Sequence, residues 1–311
     1  MDIYISGSIA YDRIMDFPGR FSDYILPDKI HVLNVCFNVN GLEEKFGGTA
    51  GNIAYSLALL QEKPSIIATI GKDYHSYFNW LSENNISKDG IRIIPEEFTA
   101  GAYITTDQSD NQITGFNPGA MKHPSGCRFE NAEPENTIVL IAPGNLEDMI
   151  EYARLCKEKG IRYLCDPGQS LTKWEGKGLA EWLDGAMILI SNDYELEIIM
   201  KMTGMGKKEL LGRSEIIITT LGEKGSLISS AQGEVSIPAA KAQNVVDPTG
   251  AGDAYRAGLL KGIITGRDLE NAAKMGAVAA VYAIEKYGTQ EHRFTYEDFV
   301  ERYGSNFGQL P

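Results

Sequence analysis

The chain predicts an α/β fold, a doubly wound and mostly parallel sheet carrying a small β lid, and three features predict it. Short apolar runs ("DIYISGSIA", "PSIIATIG", "TIVLIAP", "IRYLCDP", "AMILISN", "EIIITTLG") recur along most of the 311 residues. They are continuous rather than alternating, as in strands covered on both faces. Most are followed by Gly, Asn, Pro or Asp and then by a longer amphipathic or small-residue stretch, and that alternation favours parallel strands. In such sheets functional residues gather at the carboxyl ends of the strands.

In chain order, "DIYISGSIA" opens the sheet and a helix begins near Gly51. Between them, residues 17–46 break the rhythm with two prolines and a β-like run, "HVLNVCFNV". A second irregular piece, within 98–117, reads as a hairpin with "QSDN" at its turn. Both are expected as lid elements inserted in one domain spanning 1–311, either a plain surface elaboration or a cover that keeps water from a reactive site. "AYRAGLLKGII" and "MGAVAAVYAIEKYG" are expected as late helices of small residues. A net charge of -13 argues against a nucleic-acid partner, though not against a phosphate-bearing small molecule held by backbone N–H groups. Cys36, Cys127, Cys156 and Cys165 form no C-x-x-C pair, so neither a zinc site nor a disulfide framework is expected. "MDIYISGSIAYDRI" has no basic start and no long apolar run, which predicts a cytoplasmic protein with neither signal peptide nor membrane span.

The chemistry concentrates in "DPTGAGD", just ahead of the first of those late helices. Gly250, Ala251 and Gly252 would leave N–H groups bare at the positive end of a helix, an anion site. Developing charge on a transferring phosphoryl group would be stabilised there. Asp253, in the first turn, where the dipole favours its ionised form, can take the proton of a hydroxyl attacking phosphorus. A simple glycine turn with a capping Asp has the same letters. No G-x-x-x-x-G-K-[ST] pattern occurs, and no G-x-G-x-x-G follows the first strand, which disfavours a P-loop protein and a dehydrogenase. In "GGTAGNIAYSLALL", Gly47 and Gly48 let the backbone approach a ligand, and Asn52 can donate and accept.

"DPTGAGD" resembles the C-terminal signature of the ribokinase-like (PfkB) carbohydrate and nucleoside kinases, and "GGTAGNIAYSLALL" their N-terminal one. "SNDYELEIIM" is similar to the family's Asn-x-x-Glu element and "TTLGEKGS" to its nucleotide loop, while "GSIAYDRIMDFPGRFSDYILP" and "YGTQEH" look like bacterial adenosine kinases. The resemblance covers essentially the whole chain. It implies ATP-dependent phosphorylation of a ribosyl primary hydroxyl, with adenosine to AMP leading and another nucleoside or a simple sugar as the alternative. It implies that Ser8, Asp12, Gly47, Gly48 and Asn52 hold the sugar, and that Phe116 and Gln169 contact the base. Thr220, Gly222, Gly225 and Asn192 would bind ATP, Asn192 and Glu195 would serve Mg²⁺ through water, and Asp247 with the loop before Gly288 would serve a monovalent cation. Cys36, Ala102, Ser170 and Lys173 depart from the expected adenosine pocket and bear on which nucleoside fits, not on phosphate transfer. An exposed lid strand would also allow a homodimer. A rival from another class is a nucleotide-sensing protein without turnover, which would have no need of Asp253 as a base.

Overall fold

In the computed structural model, which describes residues 1–311, each of the six apolar runs contributes a strand to one large sheet. The chain begins with β1 (Asp2–Ser6), β2 (Ala10–Asp16), β3 (Asn40–Gly47), α1 (Thr49–Leu59), β4 (Ser65–Gly71), α2 (His75–Glu83) and β5 (Ile91–Ile94). It continues through β6 (Ala100–Thr106), β7 (Gln112–Asn117), β8 (Thr137–Ile141), α3 (Leu146–Lys159), β9 (Arg162–Cys165), α4 (Gly176–Leu183) and β10 (Ala186–Asn192). Then come α5 (Asp193–Thr203), α6 (Lys207–Leu210), β11 (Ser214–Thr220), β12 (Ser226–Ser230), β13 (Gly233–Ile237), α7 (Ala251–Ile264), α8 (Leu269–Ile284) and α9 (Tyr296–Phe307). No helix is long and apolar enough to cross a membrane.

The large sheet has nine strands in the order β13-β12-β11-β10-β9-β8-β1-β4-β5, parallel except for the antiparallel β12 and β13. Because side chains alternate across a strand, the continuous apolar runs feed two cores. Ile3, Ile5, Leu140, Leu164 and Ile190 pack with residues of α1 and α7 on one face. Val139, Ile141, Cys165, Leu189 and Ile217 pack with α3, α4 and α5 on the other. Helices α7 and α8 approach closely because their contact is made of small residues. A Cβ at Gly258 would overlap the Met275 carbonyl, and one at Gly262 would strike Ala272.

Strand order reverses at β1, whose neighbours are β8 and β4. That reversal opens a crevice beyond the carboxyl ends of β1 and β8. Gly7 and Ser8 leave β1 there, against Pro143 and Gly144 leaving β8: the Ser8 N–H donates to the Pro143 carbonyl (3.0 Å), and a Cβ at Gly144 would press on Gly7.

A separate four-stranded sheet, β3-β2-β6-β7, lies beside this crevice. β6 and β7 form the expected hairpin, with "QSDN" in its turn and Asp110 in the left-handed region (φ 59°). One expectation fails: "HVLNVCFNV" is not a strand. Residues Pro27–Val32 form a 3₁₀ turn and an irregular stretch follows, so the strand on this side is "NGLEEKFG" instead. Aromatic packing organises the segment instead of a ladder. Phe17 lies 4.6 Å from Phe37 and 5.5 Å from Phe21 between ring centroids, and the Asp107 carboxylate accepts the Phe21 N–H at 2.9 Å.

Candidate active site

Two cavities meet on the first turn of α7. The first, about 450 Å³, sits in the crevice between the two sheets and reaches Gly250 and Asp253. The second, about 460 Å³, lies between the β11–β12 turn and α8 and reaches Ala251 and Gly252. Four consecutive residues therefore separate and join them.

Gly250 takes φ 80°, a left-handed conformation that glycine adopts without strain, and it ends the loop so that α7 points its N-terminus at the junction. The Ala251 N–H turns back to the Pro248 carbonyl (3.3 Å), while the N–H groups of Gly250, Gly252 and Asp253 have no backbone acceptor. Three bare donors at the positive end of a 14-residue helix make an anion site.

Asp253 departs from the sequence expectation in one respect. Burial raises its carboxyl to about 6; the Arg256 charge and a hydrogen bond from Asn52 pull the other way, and Asp166 adds to the rise. Desolvation outweighs the helix dipole, and the result is a carboxylate with more basicity than an exposed one. Asn52 reaches it from α1, its Nδ2 donating to Asp253 Oδ2 at 2.8 Å.

Beneath this turn lies a buried ion pair that the sequence reading did not single out. Arg256 Nε is 2.5 Å from Asp166 Oδ2, with both side chains less than a tenth exposed. The Nε–Oδ2 approach is an ionic contact rather than an aligned hydrogen bond, since Arg256 Nε has no hydrogen-bond partner; the other oxygen, Asp166 Oδ1, has none either. A Cβ at Gly252 would meet the Arg256 guanidinium at 2.7 Å, so the cation sits directly under the bare N–H groups. Burial raises the Asp166 carboxyl, with Arg256 opposing. The available signal was an arginine among Ala, Gly and Leu in "DAYRAGLL", a position a buried helix fills with charge only when a partner is waiting.

The first cavity brings together most residues expected around a sugar and base. Strand register sets Asp12, Ala102 and Phe116 side by side across β2, β6 and β7, and all three line it. Burial raises the Asp12 carboxyl, and the Asp247 charge adds to this. Gly48 lines the cavity at φ 90°, where a Cβ would overlap the Ser8 carbonyl. Gly47 does not line it; its missing side chain leaves room for the Asp12 carboxylate, 2.7 Å from where a Cβ would stand. Ser8 lines the cavity, but its hydroxyl is engaged, accepting the Thr49 N–H at 3.0 Å at the start of α1. Tyr103, one residue from Ala102, points to the other face of the small sheet and accepts a bond from Arg13 (3.1 Å). At the far end Gln169 and Lys173 are exposed and line the cavity, whereas the Ser170 hydroxyl is spent on the Pro167 carbonyl and the Trp174 indole.

The second cavity is lined by Thr220, Gly222 and Gly225 of the β11–β12 turn. Opposite them stand Ala277, Ala280, Val281 and Ile284, one face of α8 at helical spacing, which leaves a flat apolar slot. Asn192 ends β10 beside Thr220 in register but lines neither cavity. It forms a capping box with Glu195: Asn192 Oδ1 accepts the Glu195 N–H (2.7 Å) and Glu195 Oε2 accepts the Asn192 N–H (2.9 Å). One Glu195 oxygen stays free of that box, a donor set suited to a hydrated magnesium ion, which keeps most of its waters. Asp247 accepts the N–H groups of Thr249 (2.9 Å) and Gly288 (3.1 Å), tying the loop before α7 to the one after α8.

Comparison with known proteins adds to this geometry. The profile of the pfkB family of carbohydrate kinases matches residues 22–294. A nucleoside kinase of Methanocaldococcus jannaschii is 32% identical over 283 residues, covering 90% of this chain and 93% of the relative. The nucleoside kinase of Burkholderia thailandensis in complex with inosine superposes with a TM-score of 0.88 at 34% identity, covering 99% of this chain and 97% of that one. The same protein in complex with ADP-inosine gives 0.85 at 36%, with the same coverage.

Proposed function

The chain belongs to the pfkB family of carbohydrate kinases, and we propose that it phosphorylates the primary hydroxyl of a purine nucleoside, with adenosine to AMP as the first assignment. It is a ribokinase-like phosphotransferase that uses ATP to phosphorylate a nucleoside or a sugar. The observation that carries the finer reading is the meeting of the two cavities on Gly250 to Asp253. A nucleotide in the second cavity would present its terminal phosphate to the bare N–H groups, and a nucleoside in the first would present its hydroxyl to Asp253.

In this reading Asp253 takes the hydroxyl proton, the freed oxygen pair bonds to phosphorus, and the bond to the ADP oxygen breaks. The N–H groups of Gly250 and Gly252, with Arg256 behind them, stabilise the charge that builds on the transferring group. Asp12, Gly48 and Asn52 hold the ribose, with Gly47 making room for Asp12 and the backbone of Ser8 shaping the wall. Phe116 stacks on the base, and Gln169 reads its edge. Thr220, Gly222 and Gly225 wrap the nucleotide, while the α8 slot takes adenine. Glu195 and Asn192 would hold hydrated Mg²⁺, which when bound neutralises phosphate charge. Both Asp247 oxygens accept N–H groups, so we assign it to joining the two loops rather than to a monovalent cation. Exposed Leu26, Ile30, Val32, Leu33 and Leu42 beside the small sheet support a contact between two copies there.

A second reading has a specific observation in its favour. Lys173 is a donor only, and a 6-oxopurine such as inosine offers an acceptor where adenine offers a donor amine. ADP release with adenosine, inosine, guanosine, cytidine, ribose and fructose tests both. Turnover greatest with adenosine supports the first assignment and greatest with inosine or guanosine the second; turnover confined to the free sugars overturns the nucleoside reading.

A further inference from the structure

Asn52 can place either end of its amide against Asp253, and only one end helps a base. The structure fixes the choice from a distance. The Trp80 indole N–H, which can only donate, gives its proton to Gln290 Oε1 at 2.7 Å. That aims Gln290 Nε2 the other way, where it donates to Asn52 Oδ1 (3.0 Å) and to the Tyr77 hydroxyl (2.9 Å). Tyr77 in turn donates to the Gly47 carbonyl at 2.7 Å, so its oxygen is left to accept. With its carbonyl held by Gln290, Asn52 must turn its N–H₂ to Asp253 Oδ2. Each member has one arrangement that satisfies every partner, and Gln290 is 2% exposed, so no water substitutes for it. Space is also committed: a Cβ at Gly51 would overlap the Tyr77 hydroxyl and touch Gln290 Nε2 at 3.0 Å.

We infer that Gln290, oriented by Trp80, is a positioning residue that locks Asn52 as a donor to Asp253, so that the carboxylate is held ionised with Oδ1 directed at the acceptor hydroxyl. The inference rests on the reading of Asp253 as the base. Two other charges act on this carboxylate, Arg256 on its own helix and Asp166 after β9, and Glu195 of α5 acts in turn on that pair. None of them contacts Asn52 or Gln290, so the lock can be removed separately.

Gln290→Met fills the same space without an amide. Asn52 then turns freely, and its carbonyl can accept a proton from neutral Asp253, which favours the protonated form. The acid limb of kcat/KM should move up by about half a unit to one unit, the worth of one ordinary hydrogen bond. Trp80→Phe keeps the ring between Phe46 and Tyr55 but loses the indole N–H, and should shift the limb the same way by less. KM for ATP should stay within about twofold, because none of Trp80, Gln290, Tyr77 and Asn52 lines the nucleotide cavity.

The experiment is the pH dependence of kcat/KM for wild type, Gln290→Met, Trp80→Phe and Asp253→Asn, each checked for folding by its thermal midpoint. Acid limbs displaced upward in both relay variants, with ATP KM unchanged, establish the lock. Profiles that superimpose on wild type, or a loss equal at every pH, overturn it. If Gln290→Met does not fold, Trp80→Phe decides alone. Activity retained by Asp253→Asn would instead refute the base on which the inference rests, and that outcome is separate from the other two.

Discussion

Replacing Arg256 with methionine would leave Asp166 buried without its cation. Both side chains are less than a tenth exposed and 2.5 Å apart, so water cannot take the place of the guanidinium. Breaking a buried pair from one side costs about 3–5 kcal/mol, and the imperfect alignment here places the expectation near the lower value. At about 2–4 °C per kcal/mol, the thermal midpoint should fall by roughly 6–12 °C. The loss also depends on pH. Without Arg256 the Asp166 carboxyl rises further, the folded state binds more protons than the unfolded one, and the deficit grows as pH increases. The double variant Arg256→Met/Asp166→Leu should recover most of the midpoint, since an apolar pair is nearly as stable as the ionic one. Thermal unfolding of wild type, the single variant and the double variant between pH 5 and 8 measures all of this. A single variant within about 2 °C of wild type, or a double variant no more stable than the single, would refute the view that these two charges compensate each other.

Two more predictions concern the cleft. Asp253 has a carboxyl raised from 3.8 to about 6 in the folded protein, so between those values the fold takes up a proton and stability declines as pH rises. Asp253→Asn should therefore be more stable than wild type at pH 7–8, by about 1–3 kcal/mol, and the gain should vanish by pH 4, as read from unfolding midpoints. Lys173→Met should raise KM for inosine about 5- to 20-fold and leave KM for adenosine nearly unchanged, since it removes one charge-assisted donor at the base edge.

Much of the fold was legible because it depends on local pattern. Short, β-branched apolar runs bounded by Pro or Gly, such as "TIVLIAP" and "EIIITTLG", favour strands with both faces covered, and that is what they form. "HVLNVCFNV" has similar letters but lies beside Phe17, Phe21 and Tyr24, and a local aromatic cluster wins over pairing. Gly250 and Gly48 were legible as glycines because a positive φ and a close approach leave little other choice. Two features of the site were not. Gln290 and Trp80 stand 210 residues apart, and only the folded chain shows that their amide and indole meet. Nor does a sequence say that burial will outweigh a helix dipole at Asp253, because desolvation depends on what other elements cover that turn. Ser8 carries a second task that its letter does not announce: it lines the cavity, as expected of a sugar contact, and its hydroxyl also accepts the Thr49 N–H at the start of α1.

The central claim, that Asp253 is the base for phosphoryl transfer between the two cavities, is tested most directly by single-turnover transfer from ATP to the best nucleoside acceptor, wild type against Asp253→Asn. The account predicts a rate lower by about 10²- to 10⁴-fold with binding of both substrates within about threefold of wild type. A variant that transfers phosphate at the wild-type rate would contradict it.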